Sequence, residues 1–171
     1  MFKILGLVGL ISSCGLIGLY KSFRLKRRIL LLEDFFKMVM EIKSCINYFR
    51  EPLPDLFEKI QKKDGLKAYS LINETQHQTV EKALEISEIW PLKANELYKN
   101  EPLTKDDMEI IKYFGSFIGQ TDYDNQIVHF NYLEESLKKQ IDLAVRDSNK
   151  KGPLLKKTGF MVGIIISIVL L

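Results

Sequence analysis

Acidic side chains are missing from both ends of this sequence. All 22 Asp and Glu fall within residues 29–149, against 15 Lys and Arg there, a balance of −7, although the 171-residue chain carries a formal +3. Cysteine is scarce as well. Two residues build neither a disulfide framework nor a cysteine-type zinc site, which excludes a small secreted scaffold. Ten glycines and five prolines exclude collagen-like and low-complexity chains, and 46% hydrophobic content with 27% charged residues excludes disorder. No Gly-x-x-x-x-Gly-Lys-Ser/Thr loop is present, which excludes nucleotide hydrolysis by that route. His77 and His129 stand far apart without a ligand motif around either. Asp106-Asp107 and Glu134-Glu135 are adjacent pairs, and neighbours on a helix point to different sides, so they make poor acid–base partners. A basic groove with interleaved aromatics, as nucleic acid requires, is missing too. The expectation is a protein that is no enzyme, with no catalytic residue, no metal, no cofactor and no nucleic-acid partner.

What the ends do contain is oil bounded by positive charge. Residues 4–20 and 158–171 hold no charged side chain. Lys21, Arg24, Lys26, Arg27 and Arg28 follow the first stretch, and Lys150, Lys151, Lys156 and Lys157 precede the second. Backbone in hydrocarbon must satisfy its own hydrogen bonds, so such stretches span as helices. Basic flanks stay on the cytoplasmic side, and both flanks adjoin the same central segment. Two spans follow, with the middle in the cytoplasm: a first transmembrane helix over residues 1–20, a cytoplasmic body over 21–150 and a second transmembrane segment over 151–171. Both spans are short, ~25 Å and ~21 Å at about 1.5 Å per residue, against ~30 Å of hydrocarbon. The second therefore draws in Leu154 and Leu155, with Lys156 and Lys157 snorkelling.

A cleaved signal peptide is disfavoured because a basic cluster, not a small-residue cleavage site, follows the first apolar run. Ile11-Ser12-Ser13-Cys14 resembles a lipoprotein lipobox, but the chain stays apolar after Cys14, where a tethered lipoprotein turns polar. Gly9 with Ser13, Cys14 with Gly18, and Gly159, Gly163 and Ser167 recur at spacings of four. That pattern lets membrane helices pack closely, within the chain or in a homo-oligomer, although glycine is also simply common in such helices.

Between the spans the period is helical throughout. Leu25, Arg28, Leu32, Phe35, Val39, Ile42, Ile46 and Phe49 alternate spacings of three and four, and Leu31, Met38 and Cys45 widen the stripe, as a bundle helix requires. Glu51-Pro52-Leu53-Pro54 stops that helix, and Leu56, Phe57 and Ile60 mark a short second one. A turn at Asp64-Gly65 leads to a helix bearing Leu66, Tyr69 and Ile72. Another covers residues 79–90, closed by Trp90-Pro91-Leu92, and a loop covers 93–102. Thr104 with Asp107 reads as a capping pair for a helix bearing Met108, Ile111, Phe114 and Ile118, ended at Gly119. Asp122 caps the last helix, with Ile127, Phe130, Leu133, Leu137, Ile141 and Ala144 inward, and Gly152-Pro153 interrupts its path to the membrane. No period-two run appears. The fold class is all-α: a cytoplasmic bundle of about six helices, two of them long, flanked by two transmembrane helices. Trp90 and Phe114 are its candidate core anchors.

The stretch Trp90-Pro91-Leu92, then Leu103, Phe114-Gly115-Ser116-Phe117-Ile118-Gly119-Gln120-Thr121-Asp122 and Gln126, resembles the stage III sporulation protein AB family of endospore-forming bacteria. Ile118 stands where leucine is usual, and the loop over 93–104 is somewhat long. The resemblance implies a helical domain similar to the inner-membrane platform proteins of type II secretion and type IV pilus systems. It implies a role in the channel joining mother cell and forespore, in the cell membrane with the body on the mother-cell side. The partners it implies are a stage III sporulation protein AA-like ATPase, to be coupled to the apparatus, and other stage III sporulation membrane proteins, besides the lipid bilayer. Gly115, Gly119, Asp122 and Gln126 then have two readings. In one they serve packing, a left-handed helix terminus and a cap. In the other the turn is a docking edge for the ATPase. A passive membrane scaffold that recruits proteins without ATPase coupling is the alternative function.

Overall fold

Leu32, Phe35, Val39, Ile42 and Ile46 are all buried, with Leu31 and Met38 beside them, and burying that continuous stripe is what holds this part of the chain as one helix. In the computed structural model, which describes residues 2–49, 67–82, 85–119 and 123–169, this is α1 (Phe2–Phe49). It is followed by α2 (Lys67–Lys82), α3 (Ile86–Leu97), α4 (Lys105–Phe117) and α5 (Tyr123–Val169). No strand occurs among the described residues, so the chain is all-α. It divides into two compact units, one of Met1–Ile29 with Asp142–Leu171 and one of Leu30–Ile141.

The core of the Leu30–Ile141 unit is aromatic. Phe35, Trp90, Phe114 and Phe130 are fully buried. Phe114 stands between the others, its centroid 4.8 Å from Trp90, 6.1 Å from Phe35 and 6.2 Å from Phe130. The one polar atom of the indole is satisfied, since Trp90 Nε1 donates to the Ile111 carbonyl at 2.7 Å. α4 starts at a complete capping box: the Thr104 amide donates to Asp107 Oδ2 at 2.8 Å and the Asp107 amide to Thr104 Oγ1 at 3.2 Å. It ends at Ile118, with Gly119 beyond at φ 80°, the left-handed conformation that glycine adopts without steric cost. α2 borrows its cap from α1. Buried Asp34 accepts from the Ala68 amide at 3.0 Å, placing a carboxylate at the positive end of that helix.

Four sequence expectations are corrected. Trp90-Pro91-Leu92 does not close a helix; Pro91 lies inside α3. The proline forfeits one backbone bond, to the Ser87 carbonyl, while Trp90 and Ala94 on either side are buried, and packing outweighs the local loss. The loop expected over 93–102 accordingly begins only after Leu97, and the pair of helices expected around residues 66–72 and 79–90 is instead cut as α2 and α3. Polar Gln76-His77 carries no breaker, so α2 runs through it. Gly152-Pro153 does not interrupt α5, because Gly152 is buried and Pro153 costs the helix one backbone bond, to the Asn149 carbonyl. The stop at Pro52-Leu53-Pro54, the short helix with Leu56, Phe57 and Ile60, the Asp64-Gly65 turn and the Asp122 cap lie outside the described residues.

Candidate functional site

Two features bear on function, one in each unit. In the unit of Met1–Ile29 and Asp142–Leu171, α1 and α5 meet through small residues. Gly15, Gly18 and Ser22 of α1 are buried, as are Ala144, Ser148, Gly152, Gly163 and Ser167 of α5. The backbones nearly touch. A Cβ on Gly159 would lie 2.9 Å from the Cys14 carbonyl oxygen and 3.1 Å from Gly18 Cα, and one on Gly163 would lie 2.9 Å from Ile11 Cα. A Cβ on Gly18 would collide with the Leu155 carbonyl, and one on Gly15 would lie 2.5 Å from the Phe160 ring. Ile11 against Gly163, Cys14 against Gly159, Gly18 against Leu155 and Ser22 against Gly152 define an antiparallel register.

Most large side chains of this unit lie at the surface, although the Phe160 ring also covers Gly15. Leu16, Ile17, Tyr20, Phe23, Leu154, Phe160, Met161, Val162, Ile164, Ile165, Ile168 and Val169 are all exposed. A water-soluble protein does the reverse. Small-inside, large-outside is the order that lipid favours, since hydrocarbon gives no drive to hide leucine and close backbone contact is the available gain. Among the described residues one helix, Asn125–Val169, is long and apolar enough to cross a membrane by length and composition. The side chains of residues 2–5, 7 and 8, which belong to the first apolar stretch, lie outside the description. The register sets Gly152 beside Ser22, so the Lys21–Arg24 cluster and the Lys150–Lys151 pair occupy the same level of the two helices. Arg28, the polar member of the α1 stripe, is buried with its guanidinium 3.9 Å from Asp147.

Sequence spacing finds Gly18, Gly159 and Gly163 but misplaces part of the seam. Gly9 has open space around it and Ser13 is exposed, its hydroxyl turned back to the Leu10 carbonyl. Gly15 takes their place. The same four-residue step, followed backwards from Gly159 with one three-residue step at Leu155, would have revealed Gly152, Ser148 and Ala144.

In the other unit the residues 115–122 turn joins α4 to α5. Gly115 is buried under Trp90, whose Cβ and Cδ1 would lie 2.5 Å from a Cβ built there. Gly119 is exposed, Gln126 is buried, and Asp122 lies outside the described residues. Trp90 and Phe114 form the core described above. The four candidate turn residues are therefore not one continuous exposed patch: of the described three, Gly115 and Gln126 are buried and Gly119 is at the surface. Beyond it, His129 stacks on Phe117 at 5.1 Å and shares a 2.5 Å hydrogen bond with the Tyr113 hydroxyl. Burial, then the neighbouring Tyr132, pushes the Tyr113 phenol above its ordinary pKa. One turn on, Glu134 is held below the usual carboxylate range by hydrogen bonds from Lys138 and Lys43, at 2.6 Å and 2.5 Å.

Residues 3–171 match the family model of stage III sporulation protein AB. No curated protein and no solved structure matches the chain. The chain belongs to the stage III sporulation protein AB family, and its role lies in that stage of sporulation.

Proposed function

From that membership we propose that the protein is a two-span membrane component whose helical body faces the cytoplasm and acts as the platform of a secretion-type channel needed for endospore formation. On this reading it couples a stage III sporulation protein AA-like ATPase to the other membrane components of the apparatus, and it is itself no enzyme. The observation that carries the membrane part is the inverted packing of α1 against α5, with glycines inside and isoleucines outside. Its register also supports the orientation: the basic flanks of both helices fall at one level, as the preference of cationic residues for the cytoplasmic face requires. The coupling role rests on the family and on the exposed Gly119 turn.

The passive scaffold remains the second reading, favoured by the burial of Gly115 and Gln126, which gives two of the four turn residues work inside the fold. Co-purification from membranes of sporulating cells separates the two. The platform reading expects the ATPase to be retained by the wild-type chain and lost when a bulky charged residue replaces Gly119 in a variant that still folds. Retention of the ATPase by that variant, or no retention by wild type, refutes coupling through the turn.

A further inference from the structure

The face of α4 next to its buried stripe carries Asp106, Glu109, Ile110 and Tyr113, spaced three, one and three apart, so all four line one side of the helix. With Tyr132 and Gln140 of α5 they enclose an open groove of about 530 Å³. Its two ends differ chemically. At one end Asp106 and Glu109 are exposed and enter no ion pair or hydrogen bond among the described residues, whereas Glu134, Glu101 and Glu96 each hold a lysine. Lys105 and Lys112 share the helix but not the lining, and neither forms an ion pair with Asp106 or Glu109 among the described residues. At the other end Tyr113 and Tyr132 pack edge to face at 5.3 Å. Tyr132 is 59% exposed, and Val128, one turn earlier on α5, is 63% exposed. Among the described residues of this unit Leu30, Tyr48 and Leu92 are similarly open, but Val128 and Tyr132 are neighbours on one face of α5.

We propose that this groove is the docking surface for a cationic, amphipathic segment of a cytoplasmic protein partner, an inference that rests on the platform reading and specifies the partner's chemistry. Asp106 to Tyr113 spans seven residues, ~10 Å along the helix. The segment that fits places Lys or Arg against the two carboxylates and an apolar or guanidinium group ~10 Å away over the tyrosine rings, where a cation also gains from the ring face. The balance of −7 over residues 29–149 attracts such a segment from a distance and repels an anionic lipid surface. That favours a basic protein segment over lipid as the occupant.

The test places a photoreactive benzoylphenylalanine at Tyr132 in the full chain, in membranes of sporulating cells, and sequences the cross-linked peptides. The expected adduct is a segment of net positive charge. Its yield falls roughly threefold with either D106N or E109Q and about tenfold with both, the effect of losing one or two solvent-exposed charge pairs, in variants whose helix content and Trp90 emission match wild type. An adduct with an acidic or neutral segment, with lipid or with a second copy of this chain overturns the proposal, as does a yield indifferent to both substitutions or no adduct. ATPase co-purification is scored in parallel. Retained ATPase without a basic adduct refutes the groove and leaves the platform reading standing. A basic adduct without retained ATPase does the opposite.

Discussion

Replacing Gly115 by alanine adds one methyl group at the most crowded point of the body. Built on the existing backbone, that carbon would lie 2.5 Å from Trp90 Cβ and Cδ1, about 1 Å inside normal contact. The obstacle is not the far end of a flexible side chain. Trp90 Cβ is fixed to the α3 backbone, its ring is fully buried, its Nε1 is tied to Ile111, and its face lies 4.8 Å from Phe114. Relief therefore requires α3 and α4 to move apart, which strains rotamers at a cost of about 1–3 kcal/mol and weakens a buried hydrogen bond worth about 1 kcal/mol. Alanine returns up to about 1 kcal/mol, because glycine inside a helix is the poorer former. The net expectation is a loss of about 1–3 kcal/mol, or up to roughly 10 °C in Tm for a body of this size.

Trp90 is the only tryptophan, so the emission comes from this one side chain and its surroundings. The full chain in detergent micelles should unfold at lower urea concentration as G115A, with Trp90 emission shifted to the red before unfolding begins. An unchanged midpoint together with unchanged emission would show that α3 and α4 are not in close contact through Gly115, and the reasoning would fall.

Thr104→Ala removes half of the capping box and should cost about 1 kcal/mol in the same urea titration. Gly119→Ala forces a Cβ into φ 80° and should cost about 1 kcal/mol, without the emission change expected of G115A. Glu134 is held below the ordinary carboxylate range, so the stability it contributes is present above about pH 4.3 and is lost as pH falls through its lower folded-state pKa. Glu134→Gln should lower stability by about 1 kcal/mol at pH 7 and flatten the acid limb of the urea midpoint against pH. A Cβ at Gly163 would lie 3.2 Å from Cys14 Cβ and 2.9 Å from Ile11 Cα, so an opening of the seam by a few tenths of an ångström relieves the crowding at Ile11 and brings the two Cβ atoms to disulfide separation. G163C, with Cys45 replaced by alanine, should therefore oxidise to an intramolecular disulfide in native membranes, seen as a shift on a non-reducing gel that C14S abolishes.

Much of the body was legible because local and tertiary demands agree there. The α1 stripe from Leu32 to Ile46 was readable from period, and the Thr104–Asp107 box and the left-handed Gly119 from capping chemistry. Where they conflict, local rules mislead. Pro91 is a breaker by backbone chemistry, yet burying Trp90 and Ala94 on either side of it is worth more than the one bond it forfeits. Asp34 as the cap of α2 could not be read from sequence, because the acceptor lies 34 residues before its donor. The groove was missed for a related reason. Asp106, Tyr113 and Tyr132 are ordinary surface residues on two separate helices, and only the antiparallel pairing of α4 with α5 brings a free carboxylate pair beside an open aromatic edge.

On the membrane reading, glycine serves opposite solvents in the two units. Gly115 is small so that the largest side chain in the sequence can be hidden from water, and the gain is the burial of the indole against Phe35 and Phe114. Gly18 and Gly159 are small so that two backbones can meet while Leu16, Ile17, Ile164 and Ile165 remain outside. Hiding those four residues would gain nothing in hydrocarbon and a great deal in water. The two glycine classes should therefore respond differently to solvent. Gly115→Ala should destabilise the body to the same extent in micelles and in bilayers, since its neighbours are protein on every side. Gly159→Leu should leave Trp90 emission untouched and should disrupt disulfide formation between Cys14 and G163C. If Gly159→Leu instead unfolded the body, the seam would be part of a water-excluding core, and the exposed isoleucines would need a protein cover in place of lipid.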